Sequence, residues 1–361
     1  MTDAGHAGIP YHLVLPYVGI RSYSGTTKID RKLGEELDGL ECFLPATLCL
    51  NSGNAPDKYG DYLKLSESFV EEFSNNFRFY AFHACFEDPS PVLANTKFNL
   101  AESSYDEGVN VLKFQSRVAS NIANAPCVNS PRDYKRIAPL VNVHLGRIQK
   151  SSDKFGSIDK IVKVLEKVAY DTGLFASIAV ENMSPGKKGF YNIGECDDDI
   201  VRVLDKVPNV SLTYDLGHVD AVAFNEFSGN GRKLPRDESE IADAFVDYQN
   251  KFMDKFKDRI VHMHLSFNDI FFSQKPNGYY FLGRHCPLTK AKEHEFFYEK
   301  AFKPVVKRAL DIVEKNRNGL GCVNLEIPRK RILGIKFADC GGSVNEQLES
   351  IKIAKDICKS S

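Results

Sequence analysis

Eight short, almost wholly apolar segments alternate with helical patterns along this 361-residue chain, and that alternation constrains the fold more than any other feature. Short apolar runs bounded by turn residues predict strands that are buried on both faces, as in parallel sheets covered by helices. The predicted strands are 11–19, 39–44, 77–84, 140–145, 177–181, 210–214, 259–264 and 322–326. Eight such strand–helix units predict an α/β fold, a (β/α)₈ TIM barrel in which outer helices surround eight parallel strands.

Helical spacing of apolar residues separates these strands. The predicted helices are 31–37, 62–76, 105–123, 157–170 with Ser157 as its N-cap, 197–206, 238–256, 290–315 with a bend or split at Pro304, and 344–358. Loop material is predicted near 87–135 and 225–240, and residues 1–10 are expected to be a mobile lead-in. Without a repeat or a linker, residues 1–361 are expected to form a single domain.

Charge and cysteine content restrict the classes of partner and compartment. The formal net charge is −1, which excludes a global electrostatic attraction to nucleic acid or anionic membranes but leaves a local basic groove possible. Nine scattered cysteines without a CxxC pair, and no signal peptide, predict a reducing, cytoplasmic location. No apolar run approaches membrane-spanning length, so no membrane partner is expected. The oligomeric state is left open.

Imidazoles and carboxylates stand where the predicted strands end, which is where the active site of a TIM barrel lies. These positions are His83, His144, Glu181, Asp215, His218, His264, His285 and Glu326. A single such histidine is more often an ordinary core residue, and a single such aspartate more often a helix cap. A barrel brings all eight to one rim, where they would be costly to bury without cations. The sequence therefore predicts a metal site.

Several motifs resemble one known superfamily when they are taken in order. The segments are LVNVHLGR (140–147), IAVENMSPGKKG (178–189), TYDLGHVDAVAFN (213–225), HMHLSFND (262–269), GRHCPL (283–288) and NLEIP (324–328). Together they resemble the endonuclease IV / xylose-isomerase-like TIM barrels, which include the AP endonucleases of family 2. The resemblance is best from about residue 139 to the end, is looser over 78–86, and covers residues 1–77 only in layout.

The endonuclease IV pattern implies a cluster of two or three Zn²⁺ ions. The implied ligands are His83, His144 and Glu181 for the first ion, Glu181, Asp215, His264 and Glu326 for the second, and His218 with His285 for the third. Glu181 would bridge two ions. The family has Asp-Arg-His where this chain has Gly283-Arg284-His285, so one carboxylate of the third site is missing.

The same resemblance implies a zinc-dependent hydrolase that cleaves a phosphodiester at an abasic site in DNA. Glu181 and Glu326 would be its catalytic carboxylates. The implied substrate contacts are Phe86, Arg147, Arg284 and Arg329, although a core or rim role for Phe86 is a strong alternative. Residues 45–57 contain no arginine or lysine, whereas the repair enzymes carry a basic loop there.

Two other functions remain open at this point. A sugar or sugar-phosphate isomerase or epimerase would hold one Mn²⁺, Mg²⁺ or Co²⁺ on Glu181, Asp215, His264 and Glu326. Glu181 and Glu326 would then move protons as acid and base. His83 and His144 have no role in that enzyme, which favours the multi-zinc hydrolase. Gly283 suggests the third alternative, a degenerate barrel that binds metal without turnover.

Overall fold

Eight parallel strands close into a barrel in the computed structural model of this chain. The structure describes residues 12–15, 39–43, 79–84, 98–124, 139–172, 176–186, 189–229, 231–273, 285–316, 322–327, 331–332, 335–336 and 342–359. The barrel strands are β1 His12–Leu15, β2 Gly39–Phe43, β3 Phe79–His83, β4 Leu140–Val143, β5 Ser177–Glu181, β6 Val210–Asp215, β7 Ile260–Leu265 and β8 Cys322–Leu325.

Each barrel strand pairs with the next strand of the set, and β1 closes the ring. Val14 of β1 is in register with Gly39 of β2 on one side and with Asn324 of β8 on the other. All eight pairings are parallel. The predicted (β/α)₈ barrel is therefore confirmed.

Helices cover the outside of the barrel. They are α1 Tyr105–Asn124, α2 Lys154–Thr172, α3 Asp197–Lys206, α4 Leu216–Gly229, α5 Glu238–Phe256, α6 Lys303–Asn316 and α7 Val344–Lys359. Short helical pieces at Leu288–Lys292 and Glu295–Phe297 and a π-helical turn at Tyr298–Phe302 lead into α6. Two antiparallel ribbons pair Arg147–Gln149 with Phe190–Asn192 and Arg331–Ile332 with Ile335–Lys336.

The main apolar core lies between the helices and the outer face of the barrel. On α2, Ile158, Ile161 and Leu165 recur at helical spacing and are fully buried against the sheet. Inside the barrel the apolar part is small: Ala81, Leu140 and Ala179 form a cluster of their own. TIM barrels are usually filled by apolar layers. Here the inward positions nearer the carboxyl ends of the strands carry polar side chains instead.

Three predicted boundaries were wrong. Helix α2 begins at Lys154, because Oδ1 of Asp153 caps it by accepting from the Gly156 N–H at 3.0 Å, so Ser157 lies inside the helix. Helix α4 continues to Gly229, so the loop predicted near 225–240 begins after it. The helical stretch predicted over 290–315 is interrupted near His294 and not at Pro304, which follows the π-helical turn Tyr298–Phe302 within a continuous helical run.

The structure describes only part of the other segments for which the sequence made predictions. Helix α1 occupies much of the region near 87–135. The lead-in 1–10 and the helices predicted over 31–37 and 62–76 lie outside the described residues. Cys196, Cys286 and Cys358 carry free thiols. Among the described residues, no helix has the length and apolar character needed to cross a membrane. The single domain and the cytoplasmic location stay predictions.

The cap of α5 gives a test of how the outer layer is stabilised. The Asp237 side chain accepts a hydrogen bond from the Glu240 N–H at 2.8 Å. Asp237→Ala is expected to lower the free energy of unfolding by about 1 kcal/mol, because a helix N–H loses its partner. Asp243→Ala, which removes the same charge from an exposed position within α5, is the control and should change stability little. Equal urea midpoints for the two variants would contradict the capping role.

Candidate metal centre

The structure brings all eight side chains predicted as ligands together at the carboxyl ends of the barrel strands. They form three overlapping groups, and within each group the possible ligand atoms lie within 4.8 Å of one another. The groups are His83, His144 and Glu181; Glu181, Asp215, His264 and Glu326; and Asp215, His218 and His285. Because Glu181 and Asp215 are each shared by two groups, the three groups make one continuous centre. Their role as ligands stays a prediction.

Glu181 lies in the middle of this centre, with imidazoles facing both of its oxygens. Oε2 is 3.4 Å from Nε2 of His83 and 3.2 Å from Nε2 of His144. Oε1 is 3.4 Å from Nδ1 of His264. The side-chain amide of Asn142 also donates to Oε2 and holds the carboxylate in this orientation. One carboxylate therefore has histidines on two sides, which is the arrangement that a bridging ligand requires.

Four buried atoms of the central group lie close to one another but make no well-aligned hydrogen bond among the described residues. They are Oε1 of Glu181, Oδ2 of Asp215, Oε2 of Glu326 and Nδ1 of His264. Buried polar atoms in native structures are nearly always satisfied, so such a group calls for an unseen partner. Three carboxylate oxygens and one imidazole nitrogen that face each other are suitable ligands for a divalent cation. The residues present therefore fit a metal ion.

Asp215 combines a structural task with its place in the centre. Its Oδ1 accepts from the His218 N–H at 2.8 Å and caps α4, which leaves Oδ2 facing the other ligands. The Asn182 side chain fixes the backbone of Asp215 by pairing with both its N–H and its C=O, at 2.7 and 2.9 Å. A Cβ on Gly217 would lie 3.3 Å from Oδ1 of Asp215 and 3.2 Å from Oγ of Ser266, so glycine keeps this corner open.

The carboxylates of the centre differ in acidity. Burial raises the pKa of Asp215 to about 6, with opposition from His218 and His285 and support from Glu326 and Glu181. Burial also opposes ionisation of Glu181, but His264 and His144 outweigh it and hold the pKa well below its usual range. For Glu326, burial is again outweighed, here by His285 and His264, and the pKa is lowered. Both glutamates are therefore held as carboxylates.

Hydrogen bonds to the rings orient the histidines. Nδ1 of His83 lies 2.8 Å from the carbonyl oxygen of Ala84, and Nδ1 of His218 lies 2.8 Å from that of Asn182. A carbonyl oxygen only accepts, so Nδ1 carries a proton in each ring and Nε2 is the nitrogen left for another partner. Nδ1 of His285 lies 2.9 Å from the Ser266 hydroxyl. This is the arrangement expected around metal-binding histidines.

Sequence reasoning missed two residues, Glu41 and His262. Both are fully buried inside the barrel, and Oε2 of Glu41 is 3.0 Å from Nε2 of His262 and 3.2 Å from Nε2 of His264. Burial opposes ionisation of Glu41, but the two imidazoles lower its pKa to about 2. The available signals were a lone carboxylate within the apolar run GLECFL and the alternation of His262 with His264, which places both on one face of β7.

The cations proposed to contact substrate are only partly described. Arg147 follows β4 and stacks on the Phe190 ring, with its guanidinium carbon 4.6 Å from the ring centroid. Lys154 is held by Asp199, with Nζ 2.8 Å from Oδ1, so this lysine is engaged within the protein. Phe86, Arg284 and Arg329 lie outside the described residues, and their substrate roles, like that of Arg147, stay predictions.

Comparison with known proteins bears on the fold. No protein-family model matches the chain, and no curated protein matches it in sequence. Among solved structures, a D-tagatose 3-epimerase-like protein superposes with a TM-score of 0.53 at 16% identity and covers 97% of each chain. Endonuclease IV from Thermus thermophilus gives 0.51 at 11% identity, covering 97% of this chain and 100% of its own. The chain thus shares the TIM-barrel fold of these two structures.

Proposed function

We propose that this protein is a metal-dependent hydrolase that cleaves a phosphodiester at a multinuclear centre, with DNA that contains an abasic site as its substrate. The position of Glu181 carries the proposal. Its two oxygens face different sets of imidazoles, His83 and His144 on one side and His264 on the other. A carboxylate in this position can be shared by two cations, whereas a single cation would leave one set of histidines without a role.

The chemistry follows from charge. Divalent ions held by these residues, Zn²⁺ in this proposal, would offset the negative charge that develops on a phosphodiester as its bond to the leaving oxygen breaks. Glu181 and Glu326 are kept ionised by neighbouring imidazoles, so each presents a negative charge to the ions at the centre. The barrel wall excludes water from below, because the inward residues of the strands are buried. Substrate therefore approaches from the rim.

The choice of DNA as substrate depends on the likeness of the motifs to endonuclease IV, whose fold this chain shares at low identity. Fold alone does not determine a substrate. Among the described cations, Arg147 is placed near the rim and could contact a phosphate.

A sugar isomerase or epimerase is the second candidate, and one observation favours it. The group of Glu181, Asp215, His264 and Glu326 is complete and buried on its own, so a single Mn²⁺, Mg²⁺ or Co²⁺ could bind there. Glu181 and Glu326 would then flank a sugar and exchange protons with its carbons. The D-tagatose 3-epimerase-like structure shows that the fold also accommodates a protein of that kind.

Metal content separates the two candidates. The purified protein is expected to hold at least two zinc ions per chain, because two sets of ligands surround Glu181. The double variant His83→Ala/His144→Ala should lose one ion and at least about 100-fold in phosphodiester cleavage, as when an electrostatic stabiliser is removed. His294→Ala, a histidine outside the centre, is the control and should keep both. One manganese per chain, or full activity in the double variant, would reject the multinuclear centre.

Activity assays identify the substrate class. A duplex with one abasic site should be cut, while an undamaged duplex of the same sequence should not. The same preparation is then tested on a panel of ketoses, aldoses and their phosphates. Interconversion of a sugar without cleavage of DNA would establish the isomerase instead. A filled metal centre that acts on neither set would support the barrel without turnover.

Asp215 and His218 should differ in importance. Asp215→Asn keeps a cap for α4, since asparagine also accepts from the His218 N–H, but it removes a charge shared by two ligand groups. This variant should fold with nearly normal stability when metal-free, and it should lose activity under either candidate function. His218→Ala should lose at most one ion. An Asp215→Asn protein with full metal content and activity would contradict this assignment.

A further inference from the structure

A second polar layer lies inside the barrel, beneath the metal centre. Glu41 points inward from β2 and His262 from β7, and both are fully buried. Strands β2 and β7 are not neighbours, since β1 and β8 separate them around the ring. The Glu41 side chain therefore reaches across the interior to contact two histidines of β7. On β3, β4 and β5, by contrast, the interior holds an apolar cluster of Ala81, Leu140 and Ala179.

The contacts of His264 join this layer to the centre above it. Nε2 of His264 is 3.2 Å from both oxygens of Glu41. On the other edge of the same ring, Nδ1 is 3.2 Å from Oε2 of Glu326 and 3.4 Å from Oε1 of Glu181. One ring thus connects a buried carboxylate to the predicted ligands. His262 donates to the same carboxylate, with its Nε2 3.0 Å from Oε2.

We propose that Glu41 is a positioning residue, which fixes the His264 ring and its tautomer so that Nδ1 is presented to the metal centre, and that His262 holds Glu41 in place for this task. A carboxylate can only accept, so it keeps a proton on Nε2 of His264 and leaves Nδ1 as the nitrogen that a cation can bind. Carboxylates behind metal-binding histidines act in this way. The inference rests on the proposed metal centre.

The buried position of Glu41 argues against simple space filling. An apolar side chain would fill the interior at lower cost, since a buried carboxylate must be compensated by close partners. The two histidines of β7 are such partners for Glu41, and one of them is the predicted ligand His264. The contacts that offset the cost of burying the Glu41 charge thus also orient the His264 ring.

Zinc affinity measured against a competing chelator tests the proposal. Glu41→Gln keeps the shape of the side chain but removes the charge, and we expect it to bind zinc about 10- to 100-fold more weakly than the wild type. Glu195→Gln is the matched control, because Glu195 accepts from the backbone N–H groups of Gly186 and Asn192 and lies outside the centre. Metal-free unfolding of both variants separates loss of affinity from loss of fold. Unchanged zinc affinity in a folded Glu41→Gln protein would overturn the proposal.

His262→Gln gives a second route if Glu41→Gln does not fold. We expect a smaller loss of affinity, because the proposal has His262 act on the centre by holding Glu41, and the double variant should be no weaker than Glu41→Gln alone. Independent, additive losses would overturn the proposal. Loss of one whole zinc ion from His262→Gln, with the other ions bound normally, would also overturn it, since Glu41 and the two histidines would then be a metal site themselves.

The orientation of the His264 ring distinguishes failure of this inference from failure of the proposed function. A crystal structure of the metal-free protein shows that orientation directly. The wild type should hold the ring with Nε2 against Glu41, and Glu41→Gln should show the ring turned away or in two orientations. A wild type that binds no zinc would reject the metal centre, while its His264 orientation, compared with that in Glu41→Gln, would still confirm or overturn the role of Glu41.

Discussion

The interaction on which the rest of the site depends is the contact of the Glu181 carboxylate with imidazoles on both of its sides. Burial favours the neutral form of a carboxyl group, and only nearby positive charge reverses that preference. Here the reversal succeeds for Glu181 and Glu326 but not for Asp215, whose pKa is raised to about 6. Burial thus outweighs the neighbouring imidazoles at Asp215 alone, and a divalent cation beside this carboxyl group would supply the positive charge that holds it ionised.

The fold could be predicted from the sequence because strands appear as short apolar runs, whereas helices show apolar residues that recur every three or four positions. Strand β5 and helices α3 and α5 begin and end at the predicted residues. Helix α4 was not predicted, for a physical reason: most of its first half is buried all round, so no polar face alternates with an apolar one. The start of α2 was misplaced because Asp153 and Ser157 are both good caps, and only the folded backbone shows which of them accepts.

The rim of the site was predictable for a topological reason, and its floor was not. A parallel barrel brings every strand's carboxyl end to one place, so side chains at those ends can be paired without knowing any distance. The partnership of Glu41 with His262 crosses from β2 to β7 and depends on barrel closure and register together. A lone acidic residue in an apolar strand indicates that it has some partner. The sequence does not show which one, because His262 lies 221 positions away along the chain.

The two polar layers together explain why the interior of this barrel departs from apolar packing. A rim ligand such as His264 is a flat ring on a short side chain, and apolar neighbours alone would leave its second nitrogen without a partner. Placing an acceptor directly beneath satisfies that nitrogen and fixes which one faces the centre. Asp215 is oriented in a similar way. Its Oδ1 accepts the hydrogen bond that caps α4, so only Oδ2 remains for a cation. In both residues an atom engaged with the scaffold determines which atom is left for chemistry, so the ligands are oriented before any ion binds.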